Sequence, residues 1–314
     1  MNPEAKTILM RWSLLLLAVS LLLVSSLSLW AAGTPSQKAF PTADAAWKAL
    51  VAGVEQNDAQ ALKAIFGPGC DGLLSSGDPV ADENARVRFL EVVKEKVSLA
   101  SLGANRMAAF LGKEEWPFPI PIVKGANGWT FDSAVGAEEI VNRRIGKNEL
   151  YTIEVLHTFV DAQAEFAALG KEPHYAQKIM STEGTRDGLY WKTKVGEPES
   201  PLGPLAAEAF HEGYGKTEPG SAPQPFHGYF FKILTEQGKD APGGEKSYLD
   251  KDGKMTGGFA IVAWPSHYGA SGIMTFVVNK LGIVFQRDLG PTTAETIKAL
   301  AAYGPGPNWD PVKD

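Results

Sequence analysis

The 314-residue chain has a single cysteine, Cys70, so no internal disulfide framework is available and the core must carry the stability. In GPGCDGLLSSGD that thiol has no base beside it in sequence, and it reads as a loop cysteine rather than a nucleophile. Basic charge is also scarce. Thirty Lys and Arg face 36 Asp and Glu, the net charge is −6, and no long Lys/Arg cluster interrupts the balance. Nucleic acid is therefore not an expected partner. The five histidines, His157, His174, His211, His227 and His267, form no paired metal-ligand spacing, and no metal or other cofactor is expected. His211-Glu212 reads as a solvated loop pair. Ser266-His267 is not embedded in Gly-x-Ser-x-Gly, which excludes the nucleophile elbow. Asp250 and Asp252 lack the downstream bidentate glutamate of a calcium loop and read as turn residues. GGEK and GTRDG lack the phosphate-loop spacing.

Long apolar runs are absent with one exception. Lys6 and Arg11 precede Trp12–Trp30, WSLLLLAVSLLLVSSLSLW, and Ala31-Ala32-Gly33 follow. A basic start, an apolar centre and a small-residue exit predict an export signal, cleaved after Gly33, with a retained N-terminal anchor as the alternative. Residues 1–33 contribute +1 (Lys6 and Arg11 against Glu4) and leave about −7 on the remainder. The expected location is the periplasm or cell envelope, with membrane contact only through the N-terminal segment if that segment stays uncleaved. The expected partners are an envelope protein or a glycan.

What the chain does contain is ample apolar residue, 44%, together with 33 glycines and 21 prolines, which predicts a packed protein with many turns. Residues 38–135 read as one region. Ala46, Trp47, Leu50, Val51 and Val54 recur at helical spacing behind a Thr42 N-cap, and helices are expected over 59–66 and 82–97. RMAAFLG, PFPIPIVK and GWTFDS then predict an antiparallel meander, with Asn127-Gly128 as a hairpin turn. The alternating prolines 117, 119 and 121 place their strand at an edge. Helices followed by a meander resemble the cone of nuclear transport factor 2.

Residues 136–314 read as a second region, opening with a long helix over 136–168. Its row Ile153, Leu156, Val160, Gln163 and the neighbouring row Val155, Phe159, Ala162, Phe166 make a wide apolar stripe. Glu154, His157, Thr158, Asp161 and Glu165 occupy the opposite, polar side, so the acid and base side chains of this helix read as its wet face. A loop-rich stretch without helix or strand period is expected over 170–225. Strands return after it, with turns at Lys251-Lys254 and Asn279-Gly282, and a short helix is expected over 292–302. The fold class is α+β: helices and an antiparallel meander, then a long helix on a C-terminal antiparallel sheet.

Two constellations stand out. Glu138, Glu139, Arg143 and Arg144 lie at helical spacing, either as a surface charge lattice or as a clamp between the two regions. Tyr190, Trp191, Tyr229, Phe230, Trp264, His267 and Tyr268 would line a groove for a glycan or peptide, or else form a sheet core with polar tips.

The segments FDSAVGAEEIVNRRIGKNEL, VDAQAEFA, STEGTRDGLYWKT, EPESPLGPL, HGYFFKILTEQG, APGG and GGFAIVAWPSHYGASGIMTFVVN resemble the bacterial exported proteins grouped as domain of unknown function 2950. The resemblance implies no particular activity, cofactor or catalytic residue. More weakly, Asn148-Glu149 and Ala162-Gln163 with Phe166 make the C-terminal half similar to the globular part of type IV pilins and pseudopilins. There a helix packs on an antiparallel sheet, but it is contiguous with the hydrophobic helix, whereas here the apolar run lies far upstream. Together these readings lead to the expectation of an exported, non-catalytic binding or structural module. A small-ligand carrier or hydrolase with a pocket in the 38–135 region is the alternative.

Overall fold

A computed structural model describes residues 37–194, 196–215 and 223–313. The expected signal or anchor at 1–33 lies outside these residues. Among the described residues no helix is long and apolar enough to cross a membrane.

Four helices open the first half: α1 (Ala43–Glu55), α2 (Ala59–Phe66), α3 (Asp71–Leu74) and α4 (Pro79–Glu95). Their starts follow capping chemistry. The Thr42 hydroxyl accepts from Ala45 N–H, and the Asp58 carboxylate accepts from Gln60 and Ala61. Asp78 does the same for Val80 and Ala81, with Pro79 preset for the first turn. An antiparallel sheet follows, built from β1 (Val97–Gly103), β2 (Arg106–Leu111), β3 (Trp116–Pro117), β4 (Ile122–Gly125) and β5 (Gly128–Phe131). Its order is β1-β2-β4-β5, with β3 also on β2, and Gly125 pairs with Gly128 around a turn at Ala126-Asn127, one residue before the expected Asn127-Gly128. The first core fills the space between helices and sheet. Trp47, Leu50, Ile65, Phe66, Ile120, Ile122 and Phe131 are its buried members.

One helix then runs for 37 residues, α5 (Ser133–Leu169), about 55 Å at 1.5 Å per residue. Its buried positions include Val155, Leu156, Phe159, Ala162, Gln163 and Phe166, the expected stripe, while Glu154, His157, Asp161 and Glu165 are exposed. The second half is a five-stranded antiparallel sheet in the order β13-β11-β10-β9-β6. Here β6 is Tyr229–Leu234, β9 Ala260–Pro265, β10 Met274–Asn279, β11 Phe285–Asp288 and β13 Asp310–Pro311. AIVAWP of β9 and MTFVVN of β10 are buried at successive positions, so both faces of the sheet are covered. Helix α5 packs on β10 and α7 (Thr293–Ala299) on β9. A small second sheet joins β7 (Glu236–Gln237), β8 (Lys246–Ser247) and β12 (Ala302–Tyr303). The α+β class is the one expected.

Two differences have physical causes. The stretch expected to be loop contains a helix, α6 (Gly203–Glu212), which starts on Pro204 and closes on Gly213 in the left-handed conformation. Its Phe210 ring stacks edge-on against Tyr190 at 5.5 Å. The long helix also does not begin a separate body. Gly136 lies against Pro119 and Ile120, and Ile140 packs on the first core, so α5 belongs to both halves.

Candidate binding site

The first half holds an apolar pocket of about 360 Å³, walled by Leu50, Leu62, Phe66, Phe89, Phe118 and Ile140 among others. Phe118 organises its floor, with ring contacts to Trp47 at 5.4 Å, Phe89 at 6.0 Å and Phe131 at 6.4 Å. Four charged side chains reach its lining: Asp82, Glu83, Arg86 and Arg144. All four are already engaged. Arg86 pairs with Glu83 and donates to the Val54 carbonyl. Both oxygens of Asp82 accept from Ser76 N–H at 3.0 Å, and one also accepts from the Ser75 hydroxyl. Arg144 donates to the carbonyls of Gly72 (2.6 Å), Leu73 (3.3 Å) and Ser75 (3.4 Å), and burial lowers its pKa.

Arg144 thereby ties α5 to α3 and to the start of the loop that leads from α3 to α4. Its sequence neighbours behave differently: Arg143 pairs with Glu139 at 2.7 Å on an exposed surface, and Glu138 is exposed as well. Of the four residues singled out as lattice or clamp, Arg144 alone makes these carbonyl contacts to another element.

The same loop is held from the other side. Asp78 is fully buried; one carboxylate oxygen caps α4, and the other accepts from the Tyr214 hydroxyl and Gly228 N–H, both at 2.8 Å. The preceding glycine is required. At Gly77, with φ +80°, an added Cβ would collide with the His267 ring. Next to Asp78, His227 Nε2 lies 2.8 Å from Glu212 Oε2, and among the described residues neither atom has any other partner. Burial pushes the His227 pKa down, against the opposing influence of Glu212 and Asp78. The Tyr151 ring covers it at 4.1 Å, and burial, then Glu208 and Glu212, raise the Tyr151 hydroxyl pKa. His227 itself adopts φ +47°, a conformation uncommon outside glycine.

A second junction joins α5 to its sheet. Glu149 Oε1 accepts from Ile273 N–H (2.8 Å) and Met274 N–H (2.9 Å), and the Asn148 amide donates to the Ser271 carbonyl at 2.9 Å.

The aromatic set does not share one groove. Tyr229 is wholly buried, and its hydroxyl donates to the Met274 carbonyl. Trp191 is buried beneath Arg186, and Tyr190 meets Phe210. Phe230 and Trp264 form a cross-strand pair at 5.7 Å, while Tyr268 donates to Asp288 and His267 packs at Gly77. The other histidines are exposed or half-buried, with no carboxylate partner among the described residues, and burial raises the Cys70 thiol pKa. Among the described residues no cluster could hold a metal ion.

Sequence reasoning missed Asp78, Tyr214, Glu212 and His227. The helix was expected from Asp82, so the Asp78 cap ahead of Pro79 was missed along with the second use of its carboxylate. Glu212, read as solvated, lies at the last turn of α6 facing His227.

The geometry defines an α+β protein with two cores on one shared helix, an apolar pocket in the first and a polar junction between them. The family profile described as Protein of unknown function (DUF2950) matches residues 37–312, and the chain belongs to that family. No curated protein and no solved structure matches it.

Proposed function

We propose that this is an exported bacterial envelope protein that binds rather than transforms its ligand, and that the ligand is a small apolar or amphipathic molecule seated in the pocket of the first half. Export rests on Lys6 and Arg11 ahead of Trp12–Trp30 and the Ala31-Ala32-Gly33 exit. The observation that carries the binding reading is the state of the pocket's polar groups. Its size falls at the lower end of ligand cavities, its walls are apolar, and every charged side chain on its lining has a protein partner. What remains to be satisfied is hydrophobic surface. No histidine or cysteine lines it to act as base or nucleophile. The C-terminal half serves as scaffold, a helix on an antiparallel sheet in the manner of a pilin globular part.

The test uses residues 34–314 and the probe 8-anilinonaphthalene-1-sulfonate, followed by displacement with medium-chain fatty acids. Saturable, displaceable binding is expected. Ala85→Trp, which fills the pocket from its exposed rim, is expected to weaken it at least about tenfold at an unchanged melting temperature, a loss of about 1.4 kcal/mol. Absence of saturable binding, or indifference to Ala85→Trp, would remove the pocket from the proposal. Turnover in a hydrolase panel would overturn the non-catalytic reading.

A further inference from the structure

The end strand of the first sheet has an unprotected edge. β1 pairs with β2 on one side, and among the described residues nothing pairs with the other. The Lys96 carbonyl accepts from Gly112 N–H at 2.9 Å, which sets the alternation. Ser98 and Ala100 turn their N–H and C=O toward β2, so Val97, Leu99 and Ser101 turn theirs outward. Edge strands are usually blunted by lysine, proline, a mid-strand bulge or shortness. VSLASLG has no charge and no proline, runs for seven residues, and becomes irregular only at Ser101/Gly103. Leu102 is 56% exposed on it. On the α1 side of the strand, Val97 and Leu99 join Trp47 and Met107 in a shallow apolar cleft rimmed by the Asp44–Lys48 pair.

We propose that this edge is a dimer interface, in which β1 of two copies pair antiparallel about a twofold axis at Leu99. An extended strand is what the outward row of N–H and C=O groups requires, and this strand is complementary to itself. With Leu99 opposite Leu99, Val97 faces Ser101 and Lys96 faces the aliphatic Leu102, so no like charges oppose one another. Each outward N–H meets an outward C=O of the second copy, and the sheet continues through both molecules. Leu99 of the second copy falls on the α1 side and extends the apolar floor formed by Val97, Trp47 and Met107. The far edge of the sheet is occupied within the described residues: Phe40 bridges to Trp129 of β5, and the Gln37 amide donates to the carbonyls of Ile65 and Phe131. This interface is independent of the pocket proposed above.

Residues 37–313 contain both cores, so 34–314 is the unit to test by sedimentation equilibrium. A concentration-dependent dimer is expected. Leu99→Lys and Leu99→Glu should each lose it, and their equal mixture should regain it. Because Leu99 also packs on the first core, a second variant keeps the test independent of folding: Leu99→Cys should be joined into a covalent dimer by a short bismaleimide, since the two Cβ atoms of a hydrogen-bonded pair lie about 5.5 Å apart, too far for an unstrained disulfide but within the linker's span. Leu102→Cys should stay unlinked. A monomer at every soluble concentration, a dimer indifferent to Leu99→Lys, or a failure of Leu99→Cys to crosslink would overturn the proposal. So would a synthetic VSLASLG peptide that binds a protein otherwise monomeric.

Discussion

Asp78 shows how one carboxylate does two jobs with its two oxygens. One supplies the α4 cap, a contribution of about 1 kcal/mol, and the other satisfies a buried hydroxyl and a buried N–H. Asp78→Ala strands both of those donors, each at about 1–3 kcal/mol, so urea unfolding should register a loss of about 3 kcal/mol or more. Tyr214→Phe alone should cost about 1 kcal/mol, and almost nothing once Asp78 is gone. Equal costs in both backgrounds would mean the two residues act separately. His227 adds a pH dependence. Its folded pKa lies below its ordinary value, so the unfolded chain takes up the proton first as pH falls. The His227 contribution is therefore complete above about pH 6.5 and declines as pH drops through that value. His227→Gln should flatten the slope of stability between about pH 7 and pH 5; an unchanged slope would assign it to other groups.

At the scale of the element, α5 carries two glycines with opposite roles. Gly146 has no atom within 4 Å of an added Cβ, so Gly146→Ala should stabilise the protein by about 0.5–1 kcal/mol through helix propensity. At Gly136 the same Cβ would stand 2.5 Å from the Ile120 side chain and 2.6 Å from the Ile120 Cα and the Pro119 carbonyl. Gly136→Ala should therefore lower the melting temperature despite the better propensity, and a rise would show that the helix start yields freely. The extent of α5, its stripe and its wet face were legible because the helical period of 3.6 persists over many turns. So were the Thr42 cap and the Asn127-Gly128 hairpin, whose chemistry is local. Helix α6 was hidden among Pro and Gly clusters that mimic loop. The apolar pocket was expected only by analogy with a cone, because its walls come from five helices and the β3–β4 connection, far apart in sequence. The His227–Glu212 pair was not legible at all, since a lone histidine and a glutamate fifteen residues away show no periodicity.

For the whole molecule, the sharing of α5 couples two cores that otherwise have separate memberships. Leu50→Ala in the first and Leu156→Ala in the second, both almost fully buried, should each cost about 2–5 kcal/mol. Both should shift one and the same thermal transition. Two resolved transitions, with each variant moving only its own, would show that the halves melt independently. The shared helix has a further consequence for inheritance. A break in the gene at the start of α5 would strip Ile140 and Gly136 from the first core, while a break after Ile145 would leave the C-terminal piece carrying Asn148 and Glu149 without the helix turns that orient them. Neither half is a portable cassette for recombination, and the two are expected to be passed on, lost or duplicated together.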